Sequence, residues 1–455
     1  MSTEETQSRI MEELKEFLSI PSISTDPGRK DDVERAADFV KENLKAIGCD
    51  EVKKFPTQGH PIIYGSKTIN VNAPTVLIYG HYDVQPADPL ELWNSDPFDP
   101  QIKEEKIFAR GASDDKGQVF IHMKAVEALV AENKLACNIK FLIEGEEEIG
   151  SIHLSDFLQE NKDLLEADVV TVSDTSMISM ETPSITIGLR GLCYVEIELK
   201  GPERDLHSGV YGGAVINPIN ALTKLLSEMV DSKGQIVVPE LYDSVKVFSD
   251  EERNQIGLAP FDIEEYKREI GVDYVGGEEG YSTLERVGIR PSLDVNGIWG
   301  GYIGEGAKTV LPSVANAKVS IRLAAGQDSE VITKKLCEYL ENSAPKGTTI
   351  KVKPHHGGQP YLTSTDSVPY KIAETAVEKV FGKRPIPTLE GGSIPVISEF
   401  KQVLKLDSIL IGFGLNSDAI HSPNEHLGLK NFWLGYETMK EFYASFNSID
   451  PHVER

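Results

Sequence analysis

The sequence has few cysteines, no long apolar run and no signal-peptide pattern. Its four cysteines, Cys49, Cys137, Cys193 and Cys337, form no CxxC pair, so we expect reduced thiols that act as small buried apolar side chains. No apolar stretch approaches the roughly 18 residues of a membrane span. The polar, acidic N-terminus lacks the apolar region of a secretory signal. We therefore expect a cytoplasmic protein that does not span a membrane.

Basic residues are also scarce relative to acidic ones. Lysine and arginine total 46 against 72 for aspartate and glutamate, which gives a net charge of −26. Nucleic acids and anionic membrane surfaces bind clustered basic groups, so neither is expected as a partner. A hydrophobic content of 40% is typical of a globular protein. A chain of 455 residues is too long to fold around a single ordinary hydrophobic core. Two or three domains are expected.

The pattern of apolar residues changes twice along the chain. The N-terminal third alternates short apolar strands with amphipathic helices, which predicts an α/β layer domain. Residues 193–199 alternate at period two, as in a half-exposed antiparallel strand, and open a strand–helix–strand region. We predict an α/β catalytic domain formed by residues 1–188 and 362–455, with a central mixed sheet flanked by helices. An α+β domain, residues 189–361, interrupts it.

The segment 141–151 is the most informative part of the chain. An apolar strand runs into four glutamates within five residues: Glu144, Glu146, Glu147 and Glu148. Neighbouring carboxylates repel one another and are costly to bury, so they need cations or open water. On a surface helix the cluster would be a solvated acidic face. After a buried strand it points instead to a crevice at the strand ends, and metal ions would compensate its charge.

Other strand ends carry further candidate ligands. His81 and Asp83 follow one apolar strand, residues 109–117 contain two aspartates before a helix, Asp174 follows another strand, and His421 follows a fourth. Each feature alone has an ordinary structural explanation. Together they supply the nitrogen and oxygen ligands that divalent ions favour without thiolates. Two ions bridged by a carboxylate, with another carboxylate to move protons, are the parts of a co-catalytic metallopeptidase.

Several longer motifs give the chain a resemblance to a known family. It resembles the M20 metallopeptidases over essentially its whole length, and among them the carnosinase-like, cytosolic nonspecific dipeptidase branch. The motifs lie at residues 80–86, 110–117, 144–151, 173–174, 205–213 and 421–425. The resemblance implies a zinc-peptidase-like catalytic domain with a ferredoxin-like inserted domain that serves as lid and dimer contact. It also implies two divalent ions per subunit, Zn²⁺ or Mn²⁺, with Co²⁺ also suitable.

The resemblance assigns the ligands residue by residue. One ion would be held by His81, Asp114 and Asp174, and the other by Asp114, Glu148 and His421. Asp114 is assigned as the bridging ligand because the family's bridging aspartate stands two residues before Lys-Gly.

The resemblance also assigns residues around the ions. Glu147 would be the general base and Asp83 would orient His81. We expect Asp115, Glu144, Glu146 and His426 to have supporting or structural roles. Glu146 could tighten metal binding or raise the pKa of Glu147, and Ser151 could cap the following helix.

The inserted domain is expected to contribute to substrate binding. By residue type alone, His207 would be a surface histidine and Arg322 an exposed strand arginine. The resemblance implies instead that His207 completes the active site of a partner subunit in a homodimer, where it would stabilise an oxyanion. Arg322 would bind the substrate's C-terminal carboxylate as a bidentate clamp. Thr309, His356 and Ser393 match other substrate-contacting positions.

Three functions remain open at this level. The first is metal-dependent hydrolysis of dipeptides or short peptides. The second is an amidohydrolase or deacylase that acts on N-acyl amino acids. The third is a peptide-binding protein without catalysis, which a complete ligand set disfavours.

Overall fold

The structure is a computed structural model that describes residues 3–355, 357–392 and 394–447. The chain divides into two compact units. The first comprises Met1–Ile187, Thr363–Pro387 and Glu399–Arg455, and the second comprises Gly188–Leu362 and Thr388–Ser398. The first contains a mixed sheet flanked by helices and the second an antiparallel sheet with helices, which confirms the predicted fold class.

The chain begins with an alternation of helices and strands. Its elements as far as the end of the first strand series are α1 (Thr3–Leu18), α2 (Lys30–Ile47), β1 (Glu51–Phe55), β2 (Ile62–Lys67), β3 (Thr75–His81), β4 (Gln101–Lys103), β5 (Lys106–Phe108), α3 (Lys116–Glu132), β6 (Asn138–Glu144), α4 (Leu154–Glu160), β7 (Val169–Val172), β8 (Ser176–Met177) and β9 (Ser184–Leu189).

The middle of the chain carries long antiparallel strands and short helices. They are β10 (Gly191–Lys200), β11 (Leu206–His207), α5 (Ser208–Tyr211), α6 (Pro218–Ser227), α7 (Asp250–Ile256), α8 (Ile263–Ile270), α9 (Thr283–Gly288), β12 (Ser292–Gly300), β13 (Val310–Leu311), β14 (Val314–Leu323), α10 (Ser329–Asn342), β15 (Thr349–Pro354) and β16 (Tyr361–Leu362).

The C-terminal part returns to helix and strand alternation. Its elements are α11 (Val368–Phe381), β17 (Ile386–Glu390), α12 (Pro395–Glu399), a π-helical turn (Phe400–Leu404), β18 (Ser408–Leu410), β19 (Gly414–Leu415), β20 (His426–Gly428) and α13 (Leu429–Ser445).

The sheet of the first unit is parallel at its centre. Its strand order is β1-β2-β6-β3-β7-β18-β9. Strands β6, β3, β7 and β18 are mutually parallel, whereas β1, β2 and β9 run antiparallel to their neighbours. The carboxyl ends of parallel strands lie along one edge of a sheet. The residues that follow β3, β6, β7 and β18 therefore gather at that edge.

Helix α3 lies deep in the first unit, packed against α1, α2 and α13. It is buried on nearly every side, including the polar residues Lys116, Gln118, His122 and Lys124. A helix enclosed in this way cannot shift without breaking several packing contacts. It therefore fixes the position of the loop that leads into it, residues 109–115.

The second unit is built on a sheet with the strand order β12-β14-β10-β15. All of its pairings are antiparallel, and α6 and α10 pack against it. Strand β10 alternates between buried and more exposed residues, as the period-two pattern predicts. Apolar residues of the strands and the two helices form one core.

The cysteine prediction is only half correct. Cys137 and Cys193 are buried, but Cys49 and Cys337 are partly exposed, so they are not fully buried apolar side chains. Among the described residues, no helix combines the length and apolarity needed to cross a membrane.

Candidate metal centre

The ligands predicted from the sequence come from five different segments of the first unit. His81 is the last residue of β3, and Asp174 lies two residues after β7. Asp114 precedes α3, and Glu148 lies in a short 3₁₀ turn after β6. His421 lies between β19 and β20 with a φ of 59°, a left-handed conformation that is uncommon outside glycine. The sheet edge and the loops around it therefore supply all five side chains.

These side chains form two groups that share Asp114. Ligand atoms of His81, Asp114 and Asp174 lie within 4.8 Å of one another, and so do those of Asp114, Glu148 and His421. Asp114 Oδ1 lies 3.2 Å from His81 Nε2, and Asp114 Oδ2 lies 2.8 Å from His421 Nε2. His421 Nε2 also lies 3.2 Å from Glu148 Oε2. One carboxylate thus faces a histidine with each of its oxygens, which suits a ligand shared between two cations.

The donor set fits divalent metal ions. Imidazole nitrogen and carboxylate oxygen suit Zn²⁺, Mn²⁺ and Co²⁺ alike, so these ligands do not select one ion. Hydrogen bonds to Asp114 and Glu148 raise the pKa of His421 to about 10. Burial alone would lower the pKa of His81. Hydrogen bonds to Asp114 and Asp83 outweigh this effect and raise the pKa well above its ordinary value. Since a metal needs the neutral imidazole, protons compete with metal ions here.

Asp83 connects His81 with the turn that carries Glu147 and Glu148. The Nδ1–H of His81 donates to the backbone carbonyl of Asp83 at 3.0 Å, which leaves Nε2 for a ligand role. The fully buried Asp83 carboxylate lies 3.3 Å from the same Nδ1. It accepts hydrogen bonds from the backbone N–H groups of Glu147 at 3.2 Å and Glu148 at 3.1 Å. Asp83 therefore orients two parts of the site at once.

Gln85 is a site residue to which the sequence interpretation gave no role. Its side-chain amide donates to Glu148 Oε2 at 2.8 Å, and its backbone N–H donates to Glu148 Oε1 at 3.1 Å. These bonds fix the orientation of the Glu148 carboxylate. The signal was present in the motif 80–86, where Gln85 follows His81 and Asp83 closely.

Glu147 has the electrostatic surroundings of a proton acceptor. Burial is the largest effect and raises its pKa well above the ordinary value, while the charge of His81 acts in the opposite direction. The negative charges of Asp174 and Glu148 raise it further. A carboxyl with a raised pKa holds a transferred proton more readily than a surface carboxylate.

The other two glutamates of the cluster point elsewhere. Glu144 accepts hydrogen bonds from the hydroxyls of Tyr79 and Ser151, each at 2.8 Å, and burial raises its pKa to about 8. Ser151 therefore does not cap α4, whose N-cap residue is His153.

Glu146 is held by groups outside both ligand groups. One oxygen accepts from the backbone N–H of His60 at 3.0 Å, and the other lies 2.7 Å from His153 Nδ1. Glu146 therefore connects the segment around residue 60 with the turn that carries Glu147 and Glu148, and its role is structural. Asp115 also lies outside both ligand groups, and its Oδ2 accepts the backbone N–H of His81 at 3.2 Å. His426 bonds to the backbone carbonyl of Asn424 at 2.9 Å.

The predicted substrate residues that the structure describes lie in the second unit. His207 is exposed, and its Nδ1 accepts the backbone N–H of Gly209 at 3.0 Å. Thr309 is on the neighbouring segment, where its carbonyl accepts the N–H of Ser208 at 3.1 Å. Arg322 is partly exposed on β14. His356 and Ser393 lie outside the described residues.

An α/β domain with histidine and carboxylate groups at the carboxyl edge of its sheet is typical of metal-dependent hydrolases. Residues 77–445 match peptidase family M20/M25/M40, and the chain belongs to this family. The family predicted from the sequence is confirmed, and so is the prediction of an M20-type metallopeptidase.

Relatives with known names cover nearly the whole chain. The Cys-Gly metallodipeptidase dug1 of Schizosaccharomyces pombe is 34% identical over 96% of this chain and 95% of its own length. The human Beta-Ala-His dipeptidase is 33% identical over 97% of this chain and 90% of its own. Among solved structures, an M20 family metallo-carboxypeptidase from Sulfolobus solfataricus has a TM-score of 0.83 at 34% identity, covering 96% of this chain and 99% of that one.

Proposed function

We propose that this protein hydrolyses the peptide bond of dipeptides or short peptides with the help of two divalent metal ions. The observation that carries the proposal is the position of Asp114 between His81 and His421, within two ligand groups. The names of the relatives support a dipeptide substrate, since two of them are dipeptidases.

In this proposal His81, Asp114 and Asp174 hold one ion, and Asp114, Glu148 and His421 hold the other. Zn²⁺ or Mn²⁺ is the proposed metal, with Co²⁺ as a substitute that the same donors accept. Such ions, when bound, polarise the scissile carbonyl and lower the pKa of a water molecule, so that the water loses a proton near neutral pH and becomes a nucleophile.

Glu147 is the proposed general base. Its carboxylate takes one proton from the attacking water and then delivers that proton to the leaving amine nitrogen as the peptide C–N bond breaks. Its raised pKa, caused mainly by burial, supports this transfer. Asp83 is proposed to fix the position of His81 relative to the backbone of Glu147.

Residues of the second unit are proposed to bind the substrate. Arg322 would pair with the C-terminal carboxylate of the peptide, because a guanidinium matches a carboxylate with two parallel hydrogen bonds. Thr309, His356 and Ser393 are proposed as further substrate contacts. His207 is proposed to donate a hydrogen bond to the developing oxyanion in the active site of a partner subunit.

A homodimer is the proposed assembly, and the edge strand β12 supports it. Its side chains Val295, Ile298 and Trp299 are 43%, 48% and 41% exposed. An edge strand with exposed apolar side chains readily pairs with another strand, and in a second copy the same edge is available. We also propose a cytoplasmic location, which the four free cysteines support.

Metal dependence and substrate class can be tested together. Protein stripped with a chelator is assayed against dipeptides, tripeptides and acetyl, succinyl and carbamoyl amino acids before and after Zn²⁺ or Mn²⁺ is added back. We expect dipeptide hydrolysis that returns with the metal. Preferred cleavage of the acylated amino acids would replace the peptidase proposal with a deacylase. Peptide binding without turnover in the metal-loaded protein would contradict both.

The role of Glu147 is tested with Glu147→Gln and the matched control Glu146→Gln. We expect Glu147→Gln to lower kcat by several orders of magnitude at unchanged metal content, because the proton acceptor is lost while the ligands remain. Glu146→Gln should keep most of the activity, since Glu146 bonds to His60 and His153. Loss of metal in Glu147→Gln would mean that Glu147 is a ligand.

The shared active site is tested by subunit mixing. His207→Ala and Glu147→Gln are each inactive in the proposal, but a mixed dimer would contain one site with both residues intact. We expect activity to return after subunit exchange. No recovery in a sample whose mixed dimers are demonstrated by mass would refute action across the dimer.

A further inference from the structure

Glu425 is a fully buried carboxylate that organises the loop carrying Asp114. Glu425 Oε2 accepts the backbone N–H of Gly111 at 3.0 Å. Glu425 Oε1 accepts the backbone N–H groups of Ser113 at 2.9 Å and Asp114 at 3.1 Å. Several N–H groups directed at one anion fix the backbone around it. The orientation of Asp114 in this loop is therefore set by a side chain more than 300 residues away in the sequence.

Arg110 joins this carboxylate to a second ligand-bearing segment. Its Nη1 donates to Glu425 Oε2 at 2.7 Å, and its Nη2 donates to the backbone carbonyl of Pro86 at 3.1 Å. The guanidinium carbon lies 5.4 Å from the ring centre of Trp93, and Arg110 is only 1% exposed. Pro86 directly follows Gln85, which holds Glu148.

The ion pair thus links three stretches of chain. They are the segment 81–86 that begins at the last residue of β3, the loop 110–114 before α3, and the segment 421–425. Each stretch contains one of the proposed ligands. Neither Arg110 nor Glu425 belongs to the two ligand groups. A buried pair of this kind is costly to break, because the remaining partner is left charged without compensation.

We propose that Arg110 and Glu425 are positioning residues. They hold Asp114 within reach of the other members of both ligand groups. The pair does not touch substrate, and it acts through the backbone of residues 110–114. This inference rests on the proposed function for its effect on catalysis, but its effect on metal affinity can be measured without any substrate.

The test uses Glu425→Gln, in which the side-chain length is kept and one acceptor oxygen becomes an N–H donor. The new amide N–H meets either backbone N–H groups or Arg110, so the loop must shift. We expect metal affinity, measured by chelator competition, to fall about 10- to 100-fold, as for other residues that orient metal ligands. At saturating metal we expect a lower kcat with a nearly unchanged KM.

A matched control is the same substitution in an ion pair of the second unit. Glu278 is 4% exposed and binds Arg290 through two contacts of 2.6 and 2.7 Å. Glu278→Gln should lower Tm without changing metal affinity. The proposal is overturned if Glu425→Gln lowers Tm to a similar extent but binds metal as tightly as the wild type.

Two further outcomes remain decisive. If Glu425→Gln does not fold, Arg110→Lys serves instead, since it keeps the charge but loses the second donor to Pro86; wild-type metal affinity in this variant contradicts the proposal. If the wild type hydrolyses no peptide, the proposed function fails. A selective loss of metal affinity in Glu425→Gln still supports the positioning role in that case.

Discussion

Replacement of Asp83 by asparagine is the sharpest test of how the site is held together. The substitution keeps the size of the side chain and replaces one oxygen by an N–H₂ group. Asp83 Oδ1 lies 3.2 Å from the Glu147 nitrogen and 3.3 Å from His81 Nδ1, and Asp83 Oδ2 lies 3.1 Å from the Glu148 nitrogen. Asparagine has one acceptor oxygen, so at least one of these donors must face another donor.

The expected size follows from the bond that is lost. A hydrogen bond to a charged acceptor contributes about 1.5–3 kcal/mol, and Asp83 is fully buried, so water cannot replace it. At about 1.4 kcal/mol for each factor of ten, the loss corresponds to a roughly 10- to 100-fold weaker metal affinity. The loss falls on metal binding because the donors belong to His81 and to the turn that carries Glu148.

The assay is chelator competition followed by kinetics at saturating metal. We expect Asp83→Asn to bind metal more weakly and to recover only part of kcat when metal is in excess, since the Glu147 backbone is also displaced. The control is Asp328→Asn, because Asp328 also accepts two backbone N–H groups, from Glu330 and Val331, but caps a helix in the second unit. Wild-type metal affinity and kcat in Asp83→Asn would refute this reasoning.

Two further predictions concern packing and acid stability. Gly80→Ala should lower Tm by several degrees in thermal unfolding and weaken metal binding, because a Cβ there would lie 2.6 Å from both Asp115 Oδ2 and Val119 Cγ2. Burial lowers the pKa of His122 to about 3, so below pH 6.5 the unfolded chain gains a proton that the folded protein does not. The stability from the neutral His122 is complete above pH 6.5 and is lost towards pH 3, by about 2 kcal/mol at pH 5. Urea unfolding of metal-free wild type and His122→Asn at pH 7 and 5 should show a smaller pH effect in the variant; equal effects would contradict this.

The candidate ligands could be proposed from the sequence because each follows an apolar strand or lies in a short motif. Apolar runs identify buried strands, and parallel strands bring their carboxyl ends together, so His81 and Asp174 were expected on one edge. The family and the fold class followed from the same motifs. Strand alternation in residues 193–199 correctly indicated an antiparallel sheet with one exposed face.

Contacts between distant parts of the chain could not be predicted in the same way. Glu425 lies in a motif that was recognised, yet nothing local to it indicates that its carboxylate binds backbone groups of residues 111–114. The directions of the four glutamate side chains could not be predicted from the sequence either, because a turn of 3₁₀ helix after β6 rotates successive side chains to different sides. The chain path, rather than residue type, decides that Glu146 binds His153 while Glu148 joins a ligand group.

The electrostatics of the acidic cluster explain why so many carboxylates can lie together. Burial raises the pKa of Glu144 to about 8, so this group is largely protonated at neutral pH and adds little charge. One oxygen of Glu146 lies 2.7 Å from His153 Nδ1, outside both candidate ligand groups. The candidate ligand carboxylates Asp114, Asp174 and Glu148 carry further negative charge in the same region. Bound divalent ions would compensate this charge, and a proton held by Glu147 would make the site one unit more positive while the amine departs. The cluster is therefore suited to hold divalent ions together with one proton that moves, as the proposed hydrolysis needs.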